Sequence, residues 1–194
     1  MKITKYLLLI STVICLAASC NKDDTPPPEP ELPPLTTEGL NTLGCYINGE
    51  PWVAEIPPLS EIIGLRHLEA FFHPVLVNPP RENYLGIRAR RRNKDGSLSQ
   101  TLIIELLNVQ DEGMYNLIYS DETYRDLSYN CSDTYFELDT TMLHEVNLLK
   151  FDSVEIFGSK YQIAAGTFEF TAINHECNDT IKFTDGRFDA IISN

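Results

Sequence analysis

The segment LGCYINGEPWV, residues 43–53, decides the fold class, because two short apolar stretches flank an Asn-Gly pair. Asn48 and Gly49 both tolerate a positive φ, which a two-residue type I′ turn requires. We therefore predict a β-hairpin with strands at 43–47 and 52–55. Trp52, the single tryptophan of the chain, is expected to lie in the core behind this hairpin.

The same two-residue periodicity continues towards the C-terminus, interrupted by turns rich in Gly, Asn and Asp. Further strands are predicted at 68–75, 84–92, 98–109, 114–119, 129–138, 146–152, 161–173 and 180–192. Only residues 142–149 have any helical character, and it is weak. The pattern predicts an all-β protein with little helix, either a single antiparallel β-sandwich or a lipocalin-like barrel.

The N-terminus has the features of a lipoprotein export signal. Lys2 and Lys5 are followed by an apolar run at 6–16, which is too short to span a bilayer, and by small residues before Cys20. We predict a signal peptide at 1–19 and lipidation of Cys20 by a diacylglycerol and an N-acyl chain such as palmitate. These chains would attach the protein to the membrane by the hydrophobic effect. The alternative is an ordinary secretory signal, which would leave Cys20 as an exposed thiol.

Residues 20–40 are predicted to connect the anchor to the domain. Lys22, Asp23 and Asp24 follow Cys20 directly and resemble the surface-export signal of Bacteroidota lipoproteins. That resemblance implies a lipid-anchored protein of the outer membrane facing the cell exterior, with the periplasmic face as the alternative. Residues 25–35 contain six prolines, which exclude helix and sheet and favour a polyproline spacer of roughly 30 Å.

Charge excludes some classes of partner. The formal net charge is −13, and removal of Lys2 and Lys5 with the signal leaves 13 basic against 28 acidic residues, or −15. Such an acidic chain is not expected to bind nucleic acid or the surface of an anionic membrane. The remaining 41–194 segment is long enough for one β-domain with its own core.

Three cysteines remain in the predicted mature domain, so at most one disulfide forms. Cys45 lies within an apolar strand, where a buried free thiol behaves as a small hydrophobic residue. Cys131 and Cys177 both lie in polar, turn-like surroundings. We therefore predict a Cys131–Cys177 disulfide.

Two segments resemble a known family. NTLGCYINGEPW opens the domain, and GTFEF at 166–170 with TDGRFD at 184–189 closes it. This combination is similar to a domain-of-unknown-function family of Bacteroidota surface lipoproteins. The resemblance implies a sandwich or lipocalin-like β-fold on a surface lipoprotein, with no assigned activity and no catalytic residues.

Alternation also makes predictions about the closing segments. Phe168 and Phe170 should lie on one face of their strand. Asp185-Gly186 should form a tight hairpin or a glycine bulge. Arg187 and Asp189, two residues apart on one face, are positioned to form an ion pair.

The most unusual local feature is RARRR at 88–92, in a strongly acidic protein. Alternation along a strand places Arg88, Arg90 and Arg92 on one face. Guanidinium groups bind carboxylates and sulfates bidentately, so these arginines are a candidate site for an anionic glycan. The alternative is a solvated face whose arginines pair with acids of a neighbouring strand.

Tyrosines form the second candidate site. Exposed rings offer sugars a flat apolar surface with a polar edge, and Tyr124 and Tyr129 are the speculative contacts. The alternative is a set of amphipathic tyrosines at the rim of the core. The cluster comprises Tyr115, Tyr119, Tyr124, Tyr129 and Tyr135.

No motif in the sequence indicates catalysis, a cofactor or a metal. The four histidines lack short metal-ligand spacing, and no phosphate loop or nucleophile elbow occurs. The leading hypothesis is a non-catalytic module that binds a glycan or another surface ligand, including a surface protein. The alternatives are a structural envelope protein without a small-molecule ligand and, less favoured, a glycoside hydrolase using two carboxylates.

Overall fold

A computed structural model describes residues 31–62, 64–73, 83–95, 97–118, 122–127, 131 and 134–193. The predictions on the signal peptide, Cys20, Lys22, Asp23, Asp24 and Tyr129 lie outside the described residues. Within the described ranges, no helix has the length and apolar character needed to cross a membrane.

The described residues form antiparallel strands and one short helix, as the periodicity predicts. In chain order the elements are β1 Thr42–Ile47, β2 Glu50–Val53, α1 Pro58–Ile62, β3 Leu68–His73, β4 Tyr84–Arg92, β5 Ser99–Leu107, β6 Gly113–Asn116, β7 Tyr124–Asp126, β8 Tyr135–Leu138, β9 Glu145–Ile156, β10 Ser159–Asn174 and β11 Asp179–Ile191. The all-β fold class is confirmed. The strands form one large sheet that is not closed into a barrel. The lipocalin-like barrel, one of the two predicted folds, is therefore not formed.

The sheet consists of two parts that join at β10. Sheet A has the order β2-β1-β11-β10-β9-β6, and sheet B has the order β3-β4-β5-β7-β8. On one edge β10 pairs with β9 through Ser159–Glu169 and with β8 through Ala172 and Ile173. The core contains the large side chains Trp52, Tyr124, Phe136, Phe168, Phe183, Phe188, Leu85, Ile87, Leu102, Ile104 and Leu106.

The predicted hairpin between β1 and β2 is confirmed. Asn48 and Gly49 have φ values of 52° and 88°, as a type I′ turn requires. The turn is also fastened to β11, because the backbone N–H of Lys182 donates to Asn48 Oδ1 at 2.9 Å. Trp52 is buried behind the hairpin, as predicted.

Asp185 and Gly186 form a bulge in β11 rather than a hairpin. Two residues of β11, Thr184 and Asp185, stand opposite the single residue Glu169 of β10. The positive φ of 51° belongs to Asp185 and not to the glycine. Gly186 is required for a different reason, since a Cβ there would lie 2.4 Å from the Phe168 ring.

The weak helical character of residues 142–149 does not produce a helix. The predicted strand at 146–152 lies within β9, which begins at Glu145 and whose buried side chains alternate with exposed ones. The helix that does occur is α1, five residues long, which starts at a proline whose fixed φ suits a first helical turn.

The expected ion pair between Arg187 and Asp189 does not form. Arg187 Nε instead donates to the carbonyl of Asp185 at 3.3 Å. Asp189 is only 1% exposed and accepts hydrogen bonds from the segment that precedes β1. Thr36 Oγ1 donates to it at 2.7 Å, and the amides of residues 38, 39 and 40 donate at 2.9, 2.8 and 3.3 Å.

These bonds hold residues 33–40, called the stalk end below, against the outer face of sheet A. Pro33 lies over Gly44, where an added Cβ would be 2.5 Å from the proline ring. Asn41 completes the attachment, since its Oδ1 accepts from the amide of Ile191 at 2.9 Å. The sequence places the domain start at 41, whereas the stalk end already packs on the sheet.

The cysteines are arranged as predicted. Cys131 and Cys177 are joined, with their Cα atoms 6.5 Å apart, which ties the segment before β8 to the turn between β10 and β11. Cys45 is buried and unpaired, and burial raises the pKa of its thiol to about 12. A neutral, inaccessible thiol of this kind is a packing residue and not a nucleophile.

Candidate functional site

The three arginines singled out in the sequence do lie on one face. Leu85, Ile87 and Ala89 of β4 are buried, so alternation directs Arg88, Arg90 and Arg92 to the outer face of sheet B. The strand pairs along its whole length with β5 and over six residues with β3. The arginines therefore project from a rigid part of the sheet.

Two of these arginines already have partners in the fold. Arg90 Nη1 lies 3.1 Å from Glu69 Oε2 and donates to the carbonyl of Arg66 at 3.0 Å, and its side chain is only 18% exposed. Arg92 Nε donates to Ser99 Oγ at 3.2 Å. The predicted alternative of cross-strand pairing therefore describes Arg90, and Arg92 bonds a neutral hydroxyl.

Arg88 differs from both, because it has no hydrogen bond or ion pair with any described residue. It lies opposite Glu69 on β3 and Ile103 on β5. Arg88 acts electrostatically on Tyr84 of the same strand, whose hydroxyl donates to Glu105 Oε1. Burial and the adjacent Glu105 carboxylate raise the pKa of Tyr84, and Arg88 opposes that shift. The guanidinium is thus available to a ligand.

Next to Arg88 lie three rings, Phe71, His73 and Tyr84, which we call the ring patch. The ring centroids of Phe71 lie 5.7 Å from those of both His73 and Tyr84, and His73 and Tyr84 are stacked at 6.3 Å. Phe71 lies across the backbone of Gly86, where an added Cβ would be 2.4 Å from the ring. Phe71 is half-buried and lies on the same side of the sheet as Arg88, because it stands opposite Gly86, two residues along β4 from Arg88.

Sequence reasoning missed the ring patch. His73 and Tyr84 are neighbours because β3 pairs with β4 in that register, and Phe71 stands opposite Gly86 for the same reason. The only signal in the sequence was the alternation of Phe71 and His73, two residues apart. An aromatic residue facing a glycine across two strands is a known way to fill the space that the glycine leaves.

The tyrosine hypothesis needs correction. Tyr124 is 2% exposed and packs against Phe136 and Phe183, with ring centroids 5.8 and 5.3 Å away. Its strand turns that side chain into the core, so it cannot offer a surface to a sugar. Tyr135 does face outwards, but Arg125 covers its ring at 4.6 Å from the centroid. Tyr129 lies outside the described residues.

The described histidines interact singly rather than as a cluster. His67 Nδ1 lies 3.4 Å from Glu61, and His175 Nε2 lies 3.9 Å from Glu137. His144 is buried, and its Nε2 is 2.7 Å from the carbonyl oxygen of Asp139. Across the described ranges, no group of three or more His, Cys, Asp or Glu side chains is placed to hold a metal ion.

The residues that come together are therefore Arg88 and the ring patch, bordered by the Tyr84–Glu105 hydrogen bond. This arrangement combines a guanidinium, flat apolar rings and a hydroxyl–carboxylate pair on one surface. It can bind a ligand that has both an apolar face and an anionic group. Searches of protein-family models, curated proteins and solved structures found no match to this chain.

Proposed function

We propose that this chain is a lipid-anchored lipoprotein of the outer membrane, facing the cell exterior, whose β-domain is a non-catalytic module that binds an anionic glycan. The export-signal features around Cys20 and the resemblance at both ends of the domain support the location. The observation that carries the binding proposal is Arg88, which has no partner among the described residues and lies beside the ring patch.

The chemistry of an acidic sugar matches this surface. The C–H groups on one face of a pyranose pack against aromatic rings, while its hydroxyls bond to polar groups at the ring edges. A carboxylate or sulfate accepts two parallel hydrogen bonds from a guanidinium fork. Phe71 and Tyr84 supply rings, and Arg88 supplies the fork.

The rival functions fit these features less well. A structural envelope protein without a ligand has no use for a guanidinium that has no partner among the described residues and lies beside the half-buried rings of Phe71 and Tyr84. A glycoside hydrolase needs two carboxylates with different roles in one cleft. On this face Glu105 is engaged by Tyr84 and Glu69 by Arg90, so neither is free to act as an acid or a nucleophile.

The location is tested by Cys20→Ala. We expect the wild-type protein to incorporate labelled palmitate and to be cleaved by protease added to intact cells. The variant should lose the label, because it has no cysteine to carry the acyl chains. Ser19→Ala, next to the cleavage site, is the control and should remain labelled. Palmitate labelling that persists in the Cys20 variant would contradict the proposal.

Binding is tested by Arg88→Gln. Protein held by its lipid on a neutral bilayer is titrated with a heparin hexasaccharide and a hexagalacturonate, while maltohexaose serves as the neutral sugar. We expect the variant to bind the preferred acidic sugar about 10- to 100-fold more weakly, since a hydrogen bond to a charged group is lost. Arg88→Lys should recover part of the affinity, because it restores the charge without the planar fork.

Arg187→Gln is the matched control. It removes the same charge from the outer face of sheet A and should bind the acidic sugars as the unaltered protein does. If Arg88→Gln and Arg187→Gln weaken binding equally, the effect is due to net charge, and Arg88 is not the sugar-binding site. Equal binding of maltohexaose and the acidic sugars would show that the guanidinium group does not contribute to sugar binding.

A further inference from the structure

The outer face of sheet A carries a second, differently charged site, an open groove of about 580 Å³ beside the stalk end. Its floor follows directly from strand register. One row across the sheet consists of Met114, Asn147, Thr167 and Arg187, each paired with the next on β6, β9, β10 and β11. At about 4.8 Å between strands, this row is about 14 Å long, the length of four extended residues.

The next row is acidic. Glu145 of β9 and Glu169 of β10 are direct cross-strand partners, and the bulged Asp185 of β11 follows them. Like charges that face each other across two strands destabilise a sheet. Both glutamates are exposed and neither has a basic partner among the described residues, so Arg187 is the single cation of the groove lining.

Exposed apolar side chains line the groove together with these acids. Leu143 is 83% exposed, Met114 is 57% exposed and Leu35 of the stalk end is 49% exposed, and all three line the same groove. They come from three distant parts of the chain. Isolated exposed apolar residues are ordinary on a protein surface, but three that converge on one groove mark an interaction site.

Charge decides what can occupy the groove. The Pro-rich segment of this chain is excluded, since Glu29 and Glu31 make it acidic and its prolines lack amide donors. A second copy is disfavoured, because two chains of this strongly negative charge repel each other. The acidic sugars proposed for Arg88 are excluded here for the same reason.

We propose that the groove binds an extended peptide segment of another protein in which Lys or Arg alternates with apolar residues. Side chains of an extended segment point alternately to opposite sides. Basic side chains would meet Glu145, Glu169 and Asp185, and apolar ones would pack on Met114, Leu143 and Leu35. This site is separate from Arg88 and does not depend on the glycan proposal.

The test uses the lipid-held protein on a neutral bilayer, with a bare bilayer as reference, and three acetylated, amidated hexapeptides. These are (Lys-Leu)₃, (Glu-Leu)₃ and (Lys-Ser)₃. We expect (Lys-Leu)₃ to bind and the other two to bind at least about tenfold more weakly. (Glu-Leu)₃ lacks the basic side chains, and (Lys-Ser)₃ lacks the apolar ones. Equal binding of (Glu-Leu)₃, or no binding of (Lys-Leu)₃, would overturn the proposal.

Glu169→Gln and Leu143→Ser locate the site. Each should weaken (Lys-Leu)₃ binding by about tenfold and leave binding of acidic sugars unchanged. Weaker binding by Glu169→Gln cannot be attributed to unfolding, because removing one of two facing carboxylates should maintain or raise the stability of the domain. Glu155→Gln and Leu127→Ser make the same changes at exposed positions outside the groove. If these controls lower the affinity as much as the groove variants do, the peptide binds elsewhere and the proposal is wrong.

Discussion

Asp189→Ala should destabilise the protein by about 2–4 kcal/mol and release the stalk end from sheet A. The carboxylate of Asp189 accepts four hydrogen bonds, from the Thr36 hydroxyl and the amides of residues 38, 39 and 40. Alanine leaves four donors without their acceptor, one of them buried and three partly buried, and hydrogen bonds to a charged group are the stronger kind. Urea unfolding measures the loss, and limited proteolysis around residue 35 measures the release.

Asp152→Ala is the matched control for this change. Asp152 is exposed and pairs with Lys150 at 3.2 Å on the surface of β9, so its loss should change the stability little. Asp189→Asn keeps one acceptor oxygen and should lie between the two. If Asp189→Ala unfolds at the same urea concentration as Asp152→Ala, the attachment of the stalk end does not stabilise the domain.

The Asp189→Ala variant should also affect peptide binding in the groove. Leu35 contributes one side of the groove, and Asp189 holds the segment that carries it. Releasing the stalk end should therefore weaken binding of (Lys-Leu)₃ without touching Glu145 or Glu169. The attachment, the bulge and the groove are thus parts of one surface on sheet A.

Features that depend on local alternation could be predicted from the sequence. Phe168 and Phe170 are buried while Glu169 is exposed, because side chains of a strand point to opposite faces whatever its neighbours are. The Asn48-Gly49 turn was equally accessible, since its chemistry is contained in two residues.

Features that depend on strand order could not be predicted. Met114 and Arg187 share one row only because β6, β9, β10 and β11 are adjacent in that order, which alternation does not reveal. The prediction that Tyr124 is exposed to a sugar was wrong for a related reason. Its strand, β7, has only three residues, and that is too few to show which face is apolar.

Loss of the Cys131–Cys177 disulfide should cost about 4 kcal/mol, comparable to the loss of Asp189. The bond closes a loop with a sequence separation of 46 residues, and a cross-link of that span lowers the conformational entropy of the unfolded chain. Within the fold it joins the segment before β8 to the turn between β10 and β11, where β10 passes from sheet A to sheet B. Urea unfolding of the Cys131→Ser/Cys177→Ser double variant measures this cost.

Counting reactive thiols tests whether Cys131 and Cys177 form a disulfide, because Cys45 is unpaired. Under denaturing conditions the mature lipidated chain should react at one thiol before reduction and at three after it, because Cys45 is the one free cysteine of the described residues and Cys20 would carry the lipid. A reducing agent should lower the unfolding midpoint of the wild-type protein and leave that of the double variant unchanged. Reduction cannot act through Cys45, since a free thiol has no bond to reduce. Three reactive thiols in the unreduced chain would show that the cross-link does not form.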